Sequence, residues 1–144
     1  MNASFAPAIT DIIQKLESPG APNWTLPQIE DELRSGFAQG LKKKDELAAF
    51  ILFKQLEPEV FEISYLASAK NYQRTGLMTQ LFNEFLIQIS QLSTKKVELW
   101  LEVHEKNVPA ITFYKNFGFS QVGRRENYYR DKGAAILYSR LIEK

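Results

Sequence analysis

The sequence of 144 residues has no cysteine and a single histidine, His104. Those absences exclude a disulfide, a thiolate zinc site, a cysteine nucleophile and a metal centre built from several histidines. Long apolar runs are also lacking, and none approaches the ~20 residues needed to span a bilayer, so no membrane partner is expected. The opening stretch, "MNASFAPAITDIIQKLES", has no basic region followed by an apolar block. No signal peptide is therefore expected, and a cytoplasmic location is. Charge of one sign is scarce too: 18 Lys and Arg against 17 Asp and Glu leave a formal net charge of +1. That balance supplies no global field for nucleic acid. What is present is a 44% hydrophobic, 12% aromatic chain, rich enough to bury one core, so residues 1–144 are read as one domain.

The patterning predicts a mixed α/β fold. Ile9 to Leu16 has helical spacing, and "SPGAPNWTLP" (Ser18 to Pro27) reads as a Pro/Gly-broken loop. Thr25 offers an N-cap to a helix with Pro27 in its first turn. A short strand near Gly36 to Leu41, a charged turn Lys42 to Glu46 and the strand "LAAFILFKQ" suggest a hairpin. Val60 to Ser68 alternates Phe61, Ile63 and Tyr65 against Glu62 and Ser64, as a strand does. From Gly76 to Leu92 the apolar period becomes helical. "KKVELWLEVH" then places Val97, Leu99, Leu101 and Val103 on one face and Glu98, Trp100, Glu102 and His104 on the other. A helix from Val108 to Phe117, ended by Gly118, and two strands around "RENYYRDKG" complete the order.

Several residues invite a chemical reading beside a structural one. Gly76 opens a helix after a strand, where free backbone amides and the helix dipole attract phosphates; it also suits an ordinary helix start. Glu102 shares its strand face with Trp100 and is expected to be partly desolvated, the condition that makes a carboxylate a better base; it could equally face solvent. Tyr114, twelve positions later, is either a phenolic proton donor or a core aromatic against Phe119. Asn107 is a plausible N-cap, with Pro109 in the first turn. His104 reads as an exposed strand-end residue, incidental or a proton relay. Trp24, Tyr128 and Tyr129 could wall a peptide groove or anchor loops. Arg124, Arg125 and Arg130 could hold phosphate, a reading the net charge disfavours.

"YQRTGLM", "LWLEVHEKNVPAITFYKNFGF" and "GRRENYY" resemble, in order and spacing, the GNAT superfamily of N-acetyltransferases. The likeness is closest to its RimI-type branch, the ribosomal-protein-alanine N-acetyltransferases. It is clear from about Phe61 to Tyr129 and fainter before that, where "PNWT" is similar to the branch's Pro-Trp-Ser loop. The resemblance implies a twisted mixed sheet that binds acetyl-CoA. Its phosphate loop falls on Gln73, Arg74, Thr75, Gly76, Leu77 and Met78, joined by Thr79. Leu66, Ala67 and Ser68 match the strand end whose main chain pairs with the pantetheine arm, and Asn107 matches a contact near the thiol. Met78 departs from the family's small residue there, and its bulk is expected to narrow the pyrophosphate site. The branch's general base and general acid fall on Glu102 and Tyr114.

An α-amine has a pKa near ~7.8 and a lysine near ~10.4, so freeing a lysine amine at neutral pH costs about 3.5 kcal/mol more. Both this and the resemblance favour a protein N-terminus as acceptor, with the N-terminal alanine of a small-subunit ribosomal protein as the implied target. The alternatives are acetylation of a small-molecule amine and a catalytically weak acyl-CoA-binding domain.

Overall fold

A computed structural model describes residues 5–16, 18–92 and 96–143. Strands β1 (Phe37–Lys43), β2 (Glu46–Glu57), β3 (Val60–Ser68), β4 (Lys96–His104), β5 (Ser120–Arg125) and β6 (Ala135–Glu143) form one sheet in the order β1-β2-β3-β4-β6-β5. Every neighbouring pair is antiparallel except β3 and β4, which run parallel. Helices α1 (Ala6–Gln14) and α2 (Leu26–Ser35) cover one face; α3 (Leu77–Ser90) and α4 (Val108–Asn116) cover the other. The expected mixed α/β class is the observed one.

The core follows the two periods of the sequence. Leu77, Leu81, Phe85 and Ile89 of α3 lie buried against Phe61, Val97, Leu99 and Leu101 of the sheet. On the opposite face Ile9, Ile13 and Ile29 meet Phe50 and Leu52. Strand β2 is covered on both sides, so its middle is a continuous apolar run. Helix α2 starts as expected: Gln28 accepts a hydrogen bond from the Thr25 N–H at 2.7 Å, and Pro27 sits in the first turn. Helix α4 starts at Asn107, whose Oδ1 accepts from the Ala110 N–H at 3.3 Å. It stops at Gly118, with φ of 83°, where the Phe119 N–H bonds back to the Tyr114 carbonyl at 3.1 Å.

Three expectations need correction. The hairpin turn is Lys44–Asp45 alone, both with positive φ, while Lys42, Lys43 and Glu46 belong to the strands. Tyr65 does not share a face with Phe61 and Ile63. Leu52 pairs with Tyr65 and Phe53 with Ile63, so Ser64 is an extra residue in β3. That bulge turns Tyr65 toward the α1/α2 cluster while Ile63 stays with α3. His104 is not exposed: its accessibility is 1% because two loops close over the end of β4.

Candidate active site

The parallel pairing of β3 and β4 is short. Val60, Phe61 and Glu62 oppose Glu98, Leu99 and Trp100, and there the ladder ends. The Ser64 bulge lies just beyond, and bulges increase local twist and bend. From Ile63 onward β3 remains paired to β2, and β4 to β6, but not to each other. The sheet is thus split in its middle, with the backbone edges of Tyr65–Ser68 and Leu101–His104 facing an opening.

A cavity of about 950 Å³ occupies this split. Its lining comes from both faces of the sheet: Trp24 and Glu32 from the α2 side, Ala110 and Tyr114 from the α4 side. Glu102, Asn107, Leu66, Tyr128 and Tyr129 also line it. With His104, Arg125 and Arg130, which line it too, ten of the residues singled out from the sequence meet at one cavity. Ala67, Ser68 and the stretch Gln73 to Thr79 lie outside its lining.

Glu102 projects from β4 on the face opposite Leu101 and Val103, and its side chain is 25% exposed. Arg125, at the end of β5, stands 3.4 Å from its carboxylate and 5.6 Å over the Tyr128 ring. The Glu102 charge, with some burial, holds the Tyr128 phenol above its ordinary pKa. Tyr114 is buried, packed edge-on against Phe82, Phe113 and Phe119. The core-aromatic reading is the observed one, and the same side chain also lines the cavity. Burial, reinforced by the nearby phenols of Tyr65 and Tyr129, raises its pKa well above the ordinary tyrosine value. Tyr129 is pushed up to about 12 by burial and then by the Glu102 charge, so it too stays a neutral hydrogen-bond donor.

The second polar cluster lies at the start of α3. Thr75 donates to the Tyr72 carbonyl at 2.6 Å, and Gln73 to that of Ser68 at 3.4 Å. Arg74 and Gly76 both have positive φ, 61° and 82°. The amides of Leu77, Met78 and Thr79 occupy the first helical turn, where no intrahelical acceptor exists. The left-handed conformation, rather than crowding, is what suits glycine here, since a Cβ on Gly76 would meet nothing within 4 Å. Met78 is partly buried against the α3 core cluster.

The profile of the acetyltransferase (GNAT) family matches residues 7–119. This chain belongs to the GNAT family. Among similar proteins, an N-alpha-acetyltransferase of Sulfurisphaera tokodaii is 37% identical over 76 residues, covering 50% of this chain and 42% of that one. A [ribosomal protein bS18]-alanine N-acetyltransferase of Haemophilus ducreyi is 34% identical over 91 residues, covering 60% and 58%. These matches span less than two thirds of those relatives' lengths. The crystal structure of the ribosomal-protein-S18-alanine N-acetyltransferase from Escherichia coli superposes with a TM-score of 0.87 at 25% identity, covering 100% of this chain and 92% of that one.

Three features of this candidate site carried no signal in the sequence. The Ser64 bulge depends on how β3 pairs with β2. The Arg125–Glu102 contact joins strands that are not sheet neighbours. The burial of His104 depends on glycines far away in sequence. Only the run of Tyr and Arg residues after Gly123 hinted that this segment serves the site.

Proposed function

We propose that this chain is an acetyl-CoA-dependent N-acetyltransferase that acts in the cytoplasm on the N-terminal α-amine of a protein. The observation carrying this reading is that Glu102 and Tyr114, on different elements and opposite faces of the sheet, reach one cavity through the split. The acceptor side is lined by Trp24, Tyr128 and Tyr129, in keeping with an extended peptide end. The N-terminal alanine of a small-subunit ribosomal protein is the first acceptor to test.

The residues present fit acetyl-CoA. The unpaired edge of β3 through Leu66, Ala67 and Ser68 offers main-chain partners to an amide-bearing arm. The amides that follow Gln73, Arg74, Thr75 and Gly76, those of Leu77, Met78 and Thr79, suit a pyrophosphate. Asn107 uses its side-chain oxygen in the cap and keeps its NH₂ available at the cavity. Bound acetyl-CoA supplies the acetyl group as a thioester.

Glu102 takes the proton that the amine loses as it forms the new C–N bond. Tyr114 stabilises the sulfur as the C–S bond breaks. A thiol has a reference pKa near ~8.5, well below a phenol raised by burial. Full proton transfer from Tyr114 to the thiolate is therefore uphill. Its hydroxyl serves the departing sulfur as a hydrogen-bond donor; the thiolate takes its proton from water as coenzyme A leaves, and Glu102 returns the amine's proton to solvent.

The deciding experiment is mass spectrometry of a peptide library incubated with the protein and acetyl-CoA. Acetylation of free, small N-terminal residues is expected, with no modification of lysine in N-terminally blocked peptides. A preference for polyamines or aminoglycosides over every peptide would replace this reading with small-molecule acetylation. Binding of acetyl-CoA with no acceptor turned over would leave an acyl-CoA-binding domain.

A further inference from the structure

His104 is the one fully buried ionisable side chain of β4, and nothing in the proposed chemistry uses it. It stands two residues after Glu102 on the same strand face. Its Nδ1 accepts a hydrogen bond from the Lys106 N–H at 3.0 Å. The ring proton therefore sits on Nε2, which donates to the Asp131 carboxylate at 2.9 and 3.0 Å. Both nitrogens are engaged within the protein, which leaves neither for a proton relay to Glu102.

The imidazole touches two separate loops. In residues 126–133, Tyr129 stacks on it with centroids 4.6 Å apart, and Gly133 lies so close that a Cβ would collide with Nε2 and Cε1. That loop is closed on itself, since the Tyr128 and Tyr129 amides both donate to the Gly133 carbonyl and the Gly133 N–H donates to Asp131. From residues 18–25, Gly20 approaches from another side; a Cβ there would stand 2.7 Å from that of His104. The same stretch carries Trp24, edge-on to Tyr65 across 6.4 Å. One buried side chain thus bears on the two loops that carry Trp24, Tyr128 and Tyr129 to the cavity.

We propose that His104 is the positioning residue of the acceptor side, fixing the 18–25 and 126–133 loops so that their aromatic side chains face the cavity before an acceptor arrives. This rests on the acetylation reading for its kinetic consequence, but not for its structural one. The hydrogen bonds and ring stacking of the imidazole involve neither the β3 edge nor the start of α3, the elements that suit the long arm and phosphates of acetyl-CoA.

The test compares wild type with His104→Leu, Asp131→Ala and Asp131→Asn. The aromatic side chains of the freed loops would have to be ordered at each binding event, so the KM for the preferred peptide should rise about tenfold in the first two variants. Turnover at saturating peptide and the Kd for acetyl-CoA should stay within about threefold of wild type. Asp131→Asn keeps an oxygen to accept from Nε2–H, so it should retain most of the wild-type KM. The Tyr128 and Tyr129 amides should also exchange faster with solvent in His104→Leu and Asp131→Ala. Because Asp131 is exposed, its variants keep the test open if His104→Leu fails to fold. Unchanged KM and unchanged exchange in the Asp131→Ala protein would overturn the proposal. So would equal losses in Asp131→Asn and Asp131→Ala. If wild type acetylates no peptide, the acetylation reading fails, and amide exchange alone decides the role of His104.

Discussion

Arg125 gives Glu102 a fixed neighbour, and the quarter-exposed carboxylate keeps access to the cavity. Substituting Glu102→Gln preserves the shape and removes the carboxylate proposed as proton acceptor. Turnover on the preferred peptide should fall about 10²–10⁴-fold while acetyl-CoA affinity changes little. The remaining rate should climb with pH as more amine becomes neutral unaided. A rate within about twofold of wild type, with chemistry limiting, would leave the site as a device for holding two reactants together. Tyr114→Phe keeps the edge-on contacts with Phe82 and Phe119, so its loss should be in turnover and not in folding. The wild-type rate should show no alkaline fall traceable to Tyr114 up to about pH 10, because burial raises that phenol. A pH–rate profile of wild type beside Tyr114→Phe measures both.

The start of α3 separates two reasons for a glycine. With φ of 82° and open space around its Cβ position, Gly76 is required by conformation alone. Asparagine tolerates the left-handed region, whereas valine does not. Gly76→Asn should therefore bind acetyl-CoA nearly as wild type does, and Gly76→Val should bind more weakly and melt earlier, in calorimetry of both. If the two bind equally poorly, close approach of a ligand rather than backbone strain sets the requirement. Met78, two residues on in the same first turn, is packed partly into the core, so Met78→Gly should lower Tm more than it alters cofactor affinity. At this scale much was legible from the chain. The strand face of Val97, Leu99, Leu101 and Val103 is buried as its alternation requires, and Asn107 and Gly118 bound α4 because caps are local chemistry. Tyr65 was not legible, since a bulge is a property of two strands and alternation describes one. Glu102, Asn107 and Tyr114 share the cavity in part because they share one short segment. The partners Arg125, His104 and Gly20 meet only through tertiary packing.

For the whole molecule, four raised phenols around the cavity, those of Tyr65, Tyr114, Tyr128 and Tyr129, make stability fall at high pH. Tyr65 and Tyr129 are each pushed up to about 12, chiefly by burial, and Tyr114 is raised as well. A folded-state pKa above the unfolded value near ~10 means the unfolded chain loses those protons first. This contribution is complete below pH 10 and is lost as pH rises from about 10 to 12. Thermal melts across that range should show the decline, and Tyr65→Phe should flatten it. An unchanged slope in Tyr65→Phe would assign the loss to other groups.

The split between β3 and β4 also bears on how the protein behaves in solution when nothing fills it. Most sheets carry their unpaired edges at the two ends, where charges or short strands discourage neighbours. Here two further edges open in the middle, at Tyr65–Ser68 and Leu101–His104. An extended segment of any chain could add there by main-chain hydrogen bonds. A ligand that lies along the split removes that opportunity as well as stabilising the fold by mass action. Ligand-free protein should therefore self-associate more readily on storage than protein held with acetyl-CoA, and light scattering of the two at equal concentration would measure the difference. The opening proposed to admit two reactants would then also be the place where an idle molecule is most exposed to its own kind.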